Sequence, residues 1–161
     1  MPGSGRAFRA IVYDKGAVAL HMLRQLVGER AFWSGLRRFY RTWRFRKAGT
    51  GDLRQALEAE SGMSLKRFFD RWIDGDTLPR LAFTWRTTRK ADGEDLDLRF
   101  EQVGEVFDLP MTVTIRYADG SQVDLIVPIT DRLVERRVAL TGRVRDVLVN
   151  RDDIAPVRLS R

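Results

Sequence analysis

The sequence predicts an α+β chain in which a bundle of about four helices, residues 1–79, precedes an antiparallel β-sandwich, residues 80–161. Three observations predict it. Apolar residues recur at helical spacing from Phe8 to Gly75, the period drops to two after Pro79, and Asp-Gly pairs at 92–93 and 119–120 punctuate the alternating runs.

In the first helix Gly16, Leu20, Leu23 and Val27 form one stripe, and Gly28 is placed to end it in the left-handed conformation that only Gly adopts cheaply. Phe32, Leu36, Phe39/Tyr40 and Trp43 mark the second helix. Thr50 as N-cap starts a third, which presents Leu53, Ala56 and Leu57 and stops at Gly62. Ser64 caps the fourth. Its stripe is Leu65, Phe68, Phe69, Trp72 and Ile73, ended by Gly75 and Pro79.

Beyond Pro79, Leu81, Phe83 and Trp85 alternate with polar residues, as do Leu96, Leu98 and Phe100, and then Met111, Val113, Ile115 and Tyr117. The Asp-Gly pairs suit tight hairpins because both positions tolerate positive φ. Shorter strands around 123–129, 133–140 and 144–149 bring the count to at least six, which suggests a sandwich.

Composition bounds function mainly by exclusion. With 43% hydrophobic residues in 161 the chain can bury a core, and the absence of Cys removes disulfides, thiolate metal sites and cysteine nucleophiles. No run reaches the length of a membrane span, and Met1-Pro2-Gly3-Ser4-Gly5 lacks the apolar segment of a secretory signal; the compartment stays open. The net charge of +7 is concentrated in residues 1–80, which hold sixteen Lys/Arg against eight Asp/Glu. That surplus reads first as a solvated, solubilising face.

His21 is the sole histidine, and one His cannot build a zinc site. Glu58/Glu60 and Asp74/Asp76 are spaced two apart, which on a helix points them away from each other and reads as surface charge. Asp152 and Asp153 would need several further oxygen ligands to hold a cation. No His-Glu-x-x-His, Gly-x-Ser-x-Gly or Walker loop occurs.

Ile11-Val12-Tyr13-Asp14-Lys15-Gly16-Ala17 resembles the run around the catalytic tyrosine of the aminopeptidase N family of zinc metallopeptidases, the gluzincins. Leu20-His21-Met22-Leu23-Arg24, Leu26-Val27-Gly28-Glu29-Arg30-Ala31-Phe32, Gly35-Leu36-Arg37, Thr50-Gly51-Asp52-Leu53, Ser61-Gly62-x-x-Leu65 and Phe68-Phe69-x-x-Trp72-Ile73 follow in the family's order and spacing. The resemblance covers about residues 9–80, and more loosely 81–155. It implies that residues 1–79 are the end of a thermolysin-like catalytic domain, that a β-sandwich domain follows, and that Tyr13 donates to the oxyanion formed when a zinc-bound water attacks a peptide's first carbonyl. In relatives the zinc ligands lie upstream of that tyrosine, and no match to them is present here. The resemblance therefore implies peptide substrates and zinc for a complete parent enzyme, no zinc on this chain alone, no activity alone, and either self-association or docking onto the missing N-terminal half.

Two other readings stand beside this one. A non-catalytic interaction or scaffold module would use the same domains to bind a partner. A nucleic-acid-binding helix would be built on Arg37-Arg38-Phe39-Tyr40-Arg41-Thr42-Trp43-Arg44-Phe45-Arg46-Lys47, where six cations interleave with aromatics. Phe39 and Trp43 fall on the apolar stripe of the helical projection, so the expectation is that nucleic acid is not a partner.

Overall fold

The computed structural model describes residues 4–91 and 93–160, with side chains from Lys15 onward. The chain divides into two compact units between Asp76 and Thr77.

The first unit holds α1 (Ser4–Val27), α2 (Glu29–Trp43), α3 (Thr50–Ser61) and α4 (Lys66–Trp72). Among the described side chains of α1 the buried residues are Ala19, Met22, Leu23 and Leu26, while Leu20 is 42% exposed. The face is thus rotated by about one position from the stripe expected. Apolar side chains cover more than half of this helix's circumference, so spacing alone leaves the buried arc undetermined and the neighbouring helices select it.

Gly28 separates α1 from α2 in a single residue. Its N–H donates to the Arg24 carbonyl at 2.9 Å, and its own carbonyl accepts from the Phe32 N–H at 3.0 Å, so it closes one helix and opens the next. Its φ of 84° and ψ of 153° lie in an extended region open to Gly alone, not in the left-handed helical region the sequence suggested. Gly35 serves a different need. A Cβ there would sit 2.6 Å from Leu57 Cδ2, so α2 and α3 meet where a side chain is absent.

The two expected N-caps are displaced. Gly49 caps α3, and the Asp52 carboxylate reaches back to accept the Gly49 N–H at 2.8 Å. At α4 the N-cap is Leu65, and the Glu58 carboxylate accepts the Leu65 N–H at 2.8 Å, work the sequence assigned to Ser64. Gly62 ends α3 in the left-handed conformation, φ 68° and ψ 8°, as its position predicts. Leu57, Leu65 and Phe68 are fully buried, with Phe69 and Trp72 nearly so. Each such side chain contributes about 1.5–3 kcal/mol by leaving water.

The second unit has two sheets. β1 (Arg80–Lys90), β2 (Gly93–Val103), β5 (Leu133–Leu140) and β7 (Arg158–Ser160) form one in the order β5-β2-β1-β7, and β3 (Leu109–Tyr117), β4 (Gln122–Ile129) and β6 (Val144–Val149) form the other in the order β4-β3-β6. All pairings are antiparallel except β1 with β7, a short parallel contact from Arg80↔Arg158 to Ala82↔Ser160. The inward residues Leu81, Leu96, Leu98, Phe100, Met111, Val113, Ile115, Val127 and Ile129 form its core.

The β3–β4 turn uses one positive φ, at Gly120 (88°), and not two. The Gly120 N–H donates to Tyr117 O at 3.1 Å, and Asp119 Oδ1 accepts from both the Ser121 N–H and hydroxyl, which makes a longer loop than the expected two-residue turn. In the β1–β2 hairpin Lys90 pairs with Gly93, so Gly93 is the first strand residue. Asp92 lies outside the described residues.

Gln102 joins the end of β2 to the second sheet. It is 1% exposed, its Nε2 donates to Phe107 O at 2.9 Å and Asp131 O at 3.1 Å, and its Oε1 accepts from the Phe107 N–H at 2.9 Å. One side-chain amide thereby satisfies the buried backbone of a sheet-to-sheet crossover.

Candidate functional site

Tyr13 lies in the third turn of α1. Its side chain, like all those before Lys15, lies outside the described residues. What fixes this part of the helix is visible two residues later. Lys15 Nζ donates to Gly75 O at 2.9 Å and Ile73 O at 3.5 Å, just past the C-terminal end of α4. A cation against these carbonyls is the favourable partner for a helix C-terminus. Lys15, two residues after Tyr13, is therefore an attachment point in this fold. Sequence reasoning treated Lys15 only as part of a motif, because its partners, the carbonyls of Ile73 and Gly75, lie about sixty residues away along the chain.

His21 is half-buried on α1. Among the described residues no group of three or more His, Cys, Asp or Glu is gathered closely enough to hold a metal ion. With one His and no Cys in the sequence, the residues present do not fit a catalytic zinc cage, which takes about three such ligands.

The carboxylates have structural partners. Glu58 takes the Leu65 N–H, Glu60 pairs with Arg38 at 3.2 Å, and Asp152 Oδ2 accepts the Thr112 hydroxyl at 2.7 Å. With Asp124 accepting from Thr114 at 2.6 Å, that contact covers the outer face of β3 and explains why its threonines are buried along with its apolar residues.

Perturbed titrations among the described residues lie in the sandwich. The Arg137 guanidinium, bonded to Asp97 Oδ1 at 2.6 Å, holds Asp97 below the usual carboxylate value, with Arg86 adding to the effect, and Arg137 is raised in return. The Ser121 hydroxyl and N–H hold Asp119 low. These are surface hydrogen bonds, and none places an acid beside a base of matched pKa.

On α2, Phe39 and Trp43 are half-buried, whereas Trp33 and Tyr40 are 45% and 65% exposed. The interleaved rings of residues 37–47 thus divide between core and surface. No helix among the described residues is long and apolar enough to cross a membrane.

Comparison with known proteins places these features. The family model described as the peptidase family M1 domain matches residues 4–72. Aminopeptidase N of Lactococcus lactis subsp. lactis is 36% identical over 70 residues, 44% of this chain and 8% of that protein. Aminopeptidase M1-B of Oryza sativa subsp. japonica is 33% identical over 95 residues, 59% of this chain and 10% of that protein. The chain therefore spans about a tenth of the length of these curated relatives. By fold, the crystal structure of Legionella pneumophila aminopeptidase A in complex with aspartic acid matches 94% of this chain and 18% of its own, with a TM-score of 0.78 and 19% identity. The helical unit, from Ser4 through Trp72, is thus similar to the peptidase family M1 domain, the aminopeptidase family that its motifs resemble.

Proposed function

We propose that this chain is the C-terminal part of a zinc aminopeptidase, with residues 1–79 ending the catalytic domain and residues 80–161 forming the β-sandwich domain that follows. Its chemical contribution is Tyr13. The phenol hydroxyl donates a hydrogen bond to the scissile carbonyl oxygen as that oxygen takes on charge, a contact stronger in the transition state than in the bound substrate. Lys15 holds this stretch of α1 against the end of α4 and so positions it.

The observation that carries the reading is the family match over residues 4–72, which runs through Tyr13-Asp14-Lys15-Gly16. Zinc and the residues that grip it belong to the complete parent enzyme and come from outside these 161 residues. The parent's substrates are peptides with free N-termini. Docking onto the N-terminal half would cover exposed apolar side chains such as Leu20.

The test is metal analysis and an aminoacyl-p-nitroanilide assay on this polypeptide and on its upstream-extended form. The expected result is stoichiometric zinc and turnover in the extended form, with neither in the 161-residue chain. Zinc-dependent turnover by the 161 residues alone overturns the assignment.

A further inference from the structure

The exposed side of α2 continues into a turn that the sequence is poorly suited to make. After α2 ends, Arg44 adopts φ −50° and ψ 124°, Phe45 adopts φ 62°, and the Arg46 N–H donates to Trp43 O at 2.8 Å. That is a type II turn, whose third position calls for Gly or Asn. Here it carries a β-carbon and a phenyl ring that is 92% exposed. Only the neighbouring Arg44 guanidinium, 4.7 Å from the ring centroid, offsets the strain of a bulky residue held at positive φ with its ring in water, an outlier of the kind that points to a function.

One face of α2 itself is apolar and open. Trp33, Leu36 and Tyr40 lie at i, i+3 and i+7, on one face of the helix, and with the stems of Arg37 and Arg41 they line an open depression of about 590 Å³. Residues 30–47 contain seven Lys/Arg and no Asp or Glu. Arg38 pairs with Glu60, but Arg37 reaches only the Ser34 hydroxyl and Arg41 only the Arg37 carbonyl. Two guanidiniums one helical turn apart, without carboxylate partners among the described residues, border an apolar floor.

We propose that this face of α2, with Phe45 at its end, docks an acidic amphipathic helix of another polypeptide. Its apolar side chains would seat on Trp33, Leu36, Tyr40 and Phe45, and carboxylates at i, i+4 spacing would meet Arg37 and Arg41. Charge complementarity selects the occupant. A phosphate backbone fits less well, because it would meet the two guanidiniums but leave the apolar floor of Trp33, Leu36 and Tyr40 uncovered. The proposal does not rest on Tyr13 or on the catalytic reading.

The probe is an 18-residue synthetic peptide with Leu at i, i+3, i+4 and i+7 and Glu elsewhere, labelled and titrated with the full chain by fluorescence anisotropy. A scrambled peptide of the same composition and a dT15 oligonucleotide serve as competing probes. The ordered peptide should bind at least tenfold tighter than either, and Tyr40→Ala or Arg37→Glu should each weaken it at least tenfold. Tyr40 is exposed, so its loss spares the fold. Phe45→Gly should weaken binding severalfold while leaving the thermal midpoint unchanged or raised, an outcome no purely structural role gives. Equal binding of the scrambled peptide, tighter binding of dT15, indifference of the ordered peptide to these variants, or no binding at millimolar peptide each overturns the proposal. Self-association of the chain that Tyr40→Ala abolishes, without peptide binding, assigns the face to a second copy and overturns it as well.

Discussion

Replacing Gln102 with Leu removes a side-chain amide from the interior of the β-sandwich while keeping most of its volume. Three backbone contacts within 3.1 Å are lost together: the Phe107 N–H to Oε1, and the Phe107 and Asp131 carbonyls from Nε2. An orphaned buried donor costs about 1–3 kcal/mol, and under-satisfied carbonyls cost less because each has a second lone pair. The apolar surface that Leu buries offsets part of this loss. The net expectation is a destabilisation of about 3 kcal/mol, confined to the second unit. Urea unfolding followed by the strand signal near 218 nm reads the total, and amide exchange at Phe107 reads the local event. In the wild type that amide should rank among the most protected of the unit, and in Gln102→Leu it should exchange at least a hundredfold faster. A loss below about 1 kcal/mol with Phe107 still protected would refute the reasoning, since the crossover would then be held by something other than this amide.

Gly28→Ala should cost the helical unit about 2 kcal/mol, because its extended positive-φ conformation is strained for any L-residue and a Cβ would touch nothing within 4 Å that could add a steric cause; urea unfolding at 222 nm checks it. Lys15→Met should lower stability by about 0.5–1 kcal/mol, the worth of an exposed cation at a helix C-terminus, and the loss should shrink in 1 M salt. Asp97 has its folded pKa depressed by Arg137 and Arg86, so its contribution is present above the unfolded value of about 3.8 and is lost as pH falls through the lower folded value. Wild type and Asp97→Asn should therefore differ in urea midpoint at pH 7 and converge in strong acid.

The fold class and the succession of helices and strands are legible in the sequence because each rests on local periodicity and turn chemistry. Details set by contacts distant along the chain are not. Which arc of α1 is buried depends on what packs against Ala19 and Met22, and Leu20 carries an equal apolar claim. Glu58 caps α4 from seven residues away, so Ser64 looked like the cap. Thr112 and Thr114 read as the wet side of a strand until Asp152 and Asp124 cover them, and nothing local to Gln102 announces that it will clasp a crossover. At the site, the Tyr13 motif is legible through resemblance, while the role of Lys15 emerges only when the end of α4, sixty residues on, is brought beside it.

The central claim, that Tyr13 stabilises the oxyanion of peptide hydrolysis, is tested most directly by the kcat and KM of Tyr13→Phe in the enzyme extended upstream through its zinc-binding helix. The account predicts a fall in kcat of about 10²- to 10³-fold with KM little changed, as for loss of one oxyanion donor. Undiminished kcat in that variant, with zinc fully bound, would contradict it.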